Sequence, residues 1–304
     1  MNTESTSFPI HTLLEAAQQQ TYPNATLYII ATPIGNSADI SLRALHVLSL
    51  VDAVACEDTR TTAQLLTRYG LHKQLLAAHM HNEHEAAEKI IARLQAGERI
   101  ALVSDAGTPG VSDPGAIIVD AVRKAGFRIS PLPGASAAIS ALSASGLVND
   151  HFYFHGFLPS KAGQRDSVLQ SLKSLTATLV FYEAPHRILE TTKALQQQFG
   201  DQRHIVFARE ISKLFEEIHR CELGQASAWL ESNQHGEKGE YVVLVEGARS
   251  DSNAEMQEAR RVLEILINEL SVKQASQLAA LITGQKKNAL YELALAMKNA
   301  DQAD

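Results

Sequence analysis

The stretch SDAGTPGVSDPG (104–115) carries the densest chemistry in the chain, with a carboxylate, Asp105, leaving into a run of three glycines and two prolines. Glycines let backbone groups approach a ligand closely, and prolines fix the path of the chain. Asp113 has a plainer reading, as the cap of a helix that begins at Pro114. Three charged groups stand elsewhere: Glu57, Asp58 and Arg60; Glu183, His186 and Arg187; and Arg209 with Glu210. A carboxylate beside a reacting hydroxyl can take its proton, and Glu57 is the first candidate for that role, Glu183 the second. Asp58 and Glu210 read more simply as ion-pair partners. Arg60, Arg187 and Arg209 suit phosphate, which a guanidinium grips bidentately, and Lys161 with Arg165 would extend that basic face. His79, His81 and His84 raise the idea of zinc, but no cysteine is near and Glu83 alone could orient a ligand; no metal is expected.

Missing motifs narrow the cofactor. ATPIGN (31–36) occupies the place of a dinucleotide fingerprint, and Pro33 lacks the N–H that a pyrophosphate would want there. No G-x-x-x-x-G-K-[ST] phosphate loop occurs. A nucleoside cofactor without phosphates is favoured.

The elements that must position these residues alternate. TLYIIA (26–31), DAVACE (52–57), KQLLAAH (73–79), RIALVS (99–104) and FRISPL (127–132) read as buried strands. Helical periods lie between them at 37–50, capped by Ser37 or Asp39, and at 59–69, 83–96 and 114–125. Such alternation predicts an α/β fold with a mainly parallel sheet. It brings ATPIGN, EDTR (57–60), HMHNEH (79–84), SDAGTPG (104–110) and PLPGAS (131–136) to one edge, outside the strands' carboxyl ends, where such folds bind ligands. Any one of these loops could be an ordinary turn. All five together are poorly explained that way.

After a boundary near VND (148–150), strands are expected at 151–157, 176–183, 204–210, 214–222 and 240–247, with helices at 163–174, 186–199 and 224–233. A short turn between the third and fourth strands predicts a hairpin and hence a mixed sheet. The expected organisation is a polar lead-in over 1–25, a first α/β domain over 26–147, a second over 148–248 and a helical segment over 254–300. The last two helices have the cadence of a helix-turn-helix, but a small bundle packed on the second domain is the plainer reading.

The chain has 304 residues and a net charge of −7, which argues against indiscriminate nucleic-acid binding but leaves room for a local basic face. Two distant cysteines, Cys56 and Cys221, fit a reducing cytosol, and neither a secretory signal nor a membrane span is legible. A cytoplasmic protein is expected.

Taken in order, LYIIATPIGNSADISLRAL, ACEDTR, HMHNEH, LVSDAGTPGVSDPG, PLPGASAAISAL, FHGFLPSK, FYEAPHRI, ARE and GEYVVLVEG resemble the bacterial small-subunit (16S) ribosomal RNA cytidine 2′-O-methyltransferases. These belong to the tetrapyrrole-methylase-like superfamily of S-adenosylmethionine-dependent enzymes. The resemblance runs from Leu27 to Gly247, with KKNALYELAL similar to the family's tail. It implies a homodimer of two-domain protomers with S-adenosylmethionine in the cleft between domains. Carried over by position, the cofactor would meet Pro33, Ile34, Asp105, Gly107, Thr108, Ser136 and Ala137, with Tyr182 and Glu240 closing the pocket. The resemblance further implies that His81 and Asn82 meet ribosomal RNA, within the assembled small subunit and in its decoding region. KAGQR after Lys161 is less basic than the family pattern. The alternative on the same scaffold is a tetrapyrrole (precorrin-type) C-methyltransferase, whose pocket would be apolar. A non-catalytic nucleic-acid-binding protein using Lys273, Lys286 and Lys287 is a further competitor.

Overall fold

A computed structural model describes residues 10–233, 238–249 and 252–300. Helix α1 (Ile10–Gln18) precedes the first sheet, whereas residues 1–9 of the expected lead-in lie outside the described residues. That sheet is built from β1 (Thr26–Ile30), β2 (Ala53–Cys56), β3 (Gln74–Ala77), β4 (Arg99–Val103) and β5 (Arg128–Leu132). Its order is β3-β2-β4-β1-β5 and every pairing is parallel.

Period-two alternation divides β1 between two cores. Leu27 and Ile29 pack with Ile90 and Leu94 of α4 (Glu83–Gln95) and with Ile118 and Val122 of α5 (Ala116–Lys124). Tyr28 and Ile30 turn the other way, onto α2 (Leu42–Leu50) and Leu66 of α3 (Thr59–Arg68). Helices therefore cover both faces, as the alternating pattern predicts. The loops after β1 and β4 become neighbours where the strand order reverses, the usual ligand edge of such sheets.

The second sheet comprises β6 (Phe152–Phe157), β7 (Thr178–Glu183), β8 (His204–Arg209), β9 (Glu217–Glu222) and β10 (Tyr241–Val245), in the order β6-β7-β10-β8-β9. β6 and β7 are parallel and the other pairings antiparallel, so the sheet is mixed. Phe181, Phe207, Val243 and Val245 face α7 (Ala162–Leu172), α8 (Ile188–Phe199) and α9 (Leu223–Ser232). The opposite face, with Val180, Val206, Ala208, Val242 and Leu244, is covered by Ala138 and Ala141 of α6 (Ala137–Ala144). That helix springs from the first sheet's last strand, so one short helix belongs to both halves.

Local chemistry moves several boundaries. The helix expected over 37–50 is a 3-10 turn at Ser37–Asp39 capped by Asn36, then α2 capped by Ser41, because Ile40 is extended between them. Asp113 does not cap α5. Gly115 stands at the cap with φ +133°, and the Glu83 carboxylate accepts from the N–H groups of Gly115 (3.1 Å) and Ile117 (3.2 Å). The hairpin connection is longer than a short turn, residues 210–216.

Residues to Gly247 form one compact unit and those from Ala248 another. The second unit holds α10 (Ser252–Ile267), α11 (Val272–Thr283) and α12 (Lys287–Ala300) around Ala259, Leu263, Ala275, Ala279, Leu290 and Ala294. Among the described residues, no helix is long and apolar enough to cross a membrane.

Candidate active site

Backbone bonds stitch the strand-end loops of the first sheet together. Thr32 donates to Gly107 O (2.8 Å) and Gly107 returns the bond to Thr32 O (3.0 Å), while the Thr32 hydroxyl donates to Ser104 O (3.0 Å). Gly107 sits at φ +81°, a conformation that costs glycine little. The Thr108 hydroxyl donates to Ala135 O (3.0 Å), tying the fourth loop to the fifth. There Gly134 lies so close to Ala31 that a Cβ would meet its methyl at 2.7 Å.

Beside these loops lies a cavity of about 340 Å³. From the first half Ile34, Gly107, Thr108, Asp113, Ser136 and Ala137 line it; from the second come Tyr182, Ala208, Glu210, Lys213, Glu240 and Val242. The Tyr182 ring meets Phe154 and Phe157 edge-on, at 5.1 and 5.6 Å between centroids. Burial raises its hydroxyl's pKa, against the lowering effect of a hydrogen bond with the Ala138 backbone.

The 210–216 connection forms a strap between the halves. Lys213 Nζ lies 2.8 Å from both the Glu210 and Glu240 carboxylates, and Glu240 N–H donates to Glu210 (2.9 Å). The Lys213 stem packs where a Cβ on Gly35 would lie, and the Ser212 hydroxyl bonds the Asp39 carboxylate. Glu210 and Ser212 hold left-handed conformations, φ +51° and +68°. Burial pushes the Glu210 carboxyl up, but Lys213 and the Glu240 N–H outweigh it and leave the pKa below its ordinary value.

A second acidic group has the opposite character. Asp113 is pushed up to about 6, first by burial and then by Glu57, with the Ser104 hydroxyl partly offsetting and Asp105 adding to the rise. Glu57 is raised as well, by burial and by Asp105. Among the described residues, no cation is among the charges acting on Asp113.

Of the residues expected to hold a cofactor, Ile34, Gly107, Thr108, Ser136, Ala137, Tyr182 and Glu240 line the cavity. Pro33 and Asp105 stand outside its wall. Asp105 is exposed, and its carboxylate accepts from the Asp58 N–H at 3.2 Å. Glu57, Asp58 and Arg60 also stand outside it. Asp58 caps α3, accepting from Arg60 N (2.7 Å) and Thr61 N (3.4 Å), while the Arg60 side chain remains 88% exposed.

The expected second base and two expected phosphate anchors have other occupations. Glu183 reaches the cavity wall, but its side chain is fully buried: Oε1 accepts from Ala184 N–H (2.8 Å) and Oε2 from Thr191 (2.6 Å). Arg187 lies 3.3 Å from Glu183 and donates to Leu158 O (2.7 Å). Arg209 is buried against Glu217 at 3.1 Å. The buried Arg165 pairs with Glu190 at 2.7 Å and presents no basic face. Lys161 and His81 are exposed, but Asn82 braces its own loop, accepting from His79 N–H (2.8 Å) and donating to Ala77 O (3.1 Å). Among the described residues, no cluster of three or more metal-ligating side chains occurs.

Sequence reasoning missed Asp113, Ser112, Phe157, Ile211 and Lys213 in the wall. Asp113 carried no local signal, because its competitor for the capping role, Glu83, sits in the first turn of α4 and reads there as an ordinary helix-start acid.

These two halves around an interlobe cavity define a methyltransferase scaffold, and the chain belongs to the family of Tetrapyrrole (Corrin/Porphyrin) Methylases, whose sequence profile matches residues 26–227. Residues 253–298 match a second profile, the RsmI C-terminal HTH domain, which favours the helix-turn-helix reading over a plain bundle. Over 269 residues the chain is 48% identical to Ribosomal RNA small subunit methyltransferase I of Escherichia coli O157:H7, spanning 88% of this chain and 94% of that one. It is 49% identical to the protein of that name from Pseudomonas aeruginosa, spanning 89% and 96%. Among solved structures, the methyltransferase CobJ superposes with a TM-score of 0.55 at 20% identity over 73% of this chain and 93% of that one. Uroporphyrin-III-C-methyltransferase from Thermus thermophilus gives 0.52 at 18%, over 73% and 94%. These structural likenesses speak for the fold alone. The protein is an enzyme, a methyltransferase, and it requires a methyl donor.

Proposed function

We propose that the protein methylates the ribose 2′-hydroxyl of a cytidine in small-subunit (16S) ribosomal RNA, in the decoding region, with S-adenosylmethionine as donor. The observation that carries this reading is near-half identity to ribosomal RNA small subunit methyltransferase I across almost the whole of both chains. Cytidine, the 2′ position and the decoding region rest on motif resemblance.

The wall suits an adenosyl ligand. A volume of about 340 Å³ falls within the range of small-molecule sites. Gly107, Ser136, Ala137 and Ala208 leave room, Ile34 and Tyr182 offer apolar faces, and the Thr108 hydroxyl oxygen and the Glu240 carbonyl keep acceptor capacity beyond their bonds to Ala135 and Glu210. Bound there, S-adenosylmethionine would supply a methyl group on a positively charged sulfur. The chain's own part is to align that group with the acceptor, and positioning can contribute roughly 7–11 kcal/mol. The stitched loops and the Lys213 strap keep the two walls in register. Arg60, His81 and Lys161, all exposed, are the residues left to meet RNA.

Ribosomes from cells lacking the gene provide the test. Purified protein with labelled donor should place label in a single ribose of small-subunit RNA, read by mass mapping. Label confined to a tetrapyrrole, with none in RNA, would overturn the proposal. Whether free RNA or the assembled subunit is the substrate is decided by offering each separately, and the assembled subunit is expected to be preferred. A second copy of the chain as partner is checked by light scattering.

A further inference from the structure

Four carboxylates line the cavity, Asp113, Glu183, Glu210 and Glu240. Both Glu183 oxygens are engaged, and Glu210 and Glu240 share Lys213. Asp113 differs. Among the described residues, the charges that act on it, Glu57 and Asp105, are of its own sign, and Tyr182 on the far wall is near enough to feel it. The loop that carries it is closed by Gly110 N–H donating to Pro114 O (3.2 Å). Ser112 before it is held at φ +61°, and its hydroxyl lies 2.6 Å from where a Cβ on Gly156 would stand. Both φ +61° and the absence of a capping task leave Asp113 directed by its loop rather than by α5.

We propose that Asp113 is the general base of the methyl transfer, taking the proton from the acceptor hydroxyl as that oxygen attacks. This rests on the reading of a ribose hydroxyl as acceptor. In the step, the O–H bond breaks and its proton passes to the Asp113 carboxylate. The oxygen's electron pair forms the bond to the methyl carbon, and the pair of the broken carbon–sulfur bond stays on sulfur, which becomes a neutral thioether. One negative and one positive charge disappear together, so the balance closes without a further reactant. A base with a pKa near 6 is largely deprotonated at neutral pH yet still basic enough to share the proton during attack. Glu57, which stands outside the wall, is the largest like charge acting on Asp113.

Single-turnover methyl transfer to small-subunit RNA, followed from acid to mildly alkaline pH with donor binding measured by calorimetry, tests the assignment. For the wild type, the rate should rise through pH about 6 to a plateau. Asp113→Asn, compared at saturating donor, should lower the plateau by roughly 10²–10⁴-fold and abolish the acid limb, with circular dichroism unchanged. Asp113→Glu should recover part of the rate, and Glu57→Gln should move the limb to lower pH. A plateau and limb in Asp113→Asn equal to the wild type would overturn the assignment while leaving RNA methylation intact. So would a loss traced wholly to donor binding. A wild type that labels no RNA ribose would remove the reading on which the assignment rests, and the assignment with it.

Discussion

The cavity is flanked by two acidic groups made from the same residue types and treated in opposite ways. At the strap, Glu210 and Glu240 share Lys213, and Glu210 is held below its ordinary pKa. At the strand-end loops, Glu57 and Asp105 act on Asp113 with, among the described residues, no cation beside them, and Asp113 is pushed up to about 6. The first arrangement uses its charge to brace the strap, which meets the first half through Ser212 on Asp39 and the Lys213 stem beside Gly35. The second keeps a proton acceptor at the cost of local repulsion. Environments that drive like groups apart in pKa are the usual mark of divided labour in an active site.

The rate loss expected of Asp113→Asn is the largest effect in this comparison. Next comes Lys213→Met, which should make the strap resemble the other group. Glu210 would lose its cation while largely buried, and stability at neutral pH should fall by about 1.5–3 kcal/mol in chemical denaturation. Glu240, mostly exposed, should add little. No loss would mean that the strap is not held by charge.

The sign of the stability effect should reverse at the other group. Asp113 titrates higher folded than its ordinary 3.8, so the folded state pays a penalty when the group is ionised, above about pH 6. That penalty fades as pH falls through about 6 towards 3.8. Asp113→Asn should therefore stabilise the protein at neutral pH, by on the order of 1 kcal/mol after allowing for solvent screening, and lose that gain in acid. Thermal scans at several pH values check this. A uniform gain at all pH would implicate packing instead.

Glu210 should behave in the contrary sense. Its folded pKa is depressed, so its contribution is present above its ordinary value of 4.5 and is lost as pH falls below that through the folded value. The gap between wild type and Lys213→Met should narrow there. The smallest effect is expected outside both groups. Arg60→Ala should leave the melting temperature unaltered, weaken RNA binding and reduce its salt slope by about one. An unchanged salt slope would remove Arg60 from the RNA-facing set.

Much of the fold was legible because periodicity reports burial. β1 and β4 are continuous apolar runs, and a parallel sheet covered on both faces demands that pattern. The backbone part of the pocket was legible too, since Gly107, Thr108, Ser136 and Ala137 are small or hydroxylic residues at strand ends. Charged side chains were not. Arg187 and Arg209 carry the same guanidinium as Arg60, and it is burial that commits them to Glu183 and Glu217, whereas Arg60, beside Asp58 at 3.4 Å, keeps its side chain 88% exposed. Asp113 was misread for a related reason. A helix cap can be supplied by a side chain thirty or so residues away, here Glu83, and local sequence does not reveal that competitor.

Helix α6 has a consequence for how the enzyme comes apart. Ala138 and Ala141 fill the face of the second sheet, while Ser136 and Ala137 at the helix start belong to the cavity that the first sheet builds. Pulling the lobes apart would strip cover from Val180, Val206, Val242 and Leu244 at once. Residues up to Gly247 should consequently melt in one calorimetric transition, and a fragment cut near the expected boundary at 147 should expose a greasy sheet and precipitate.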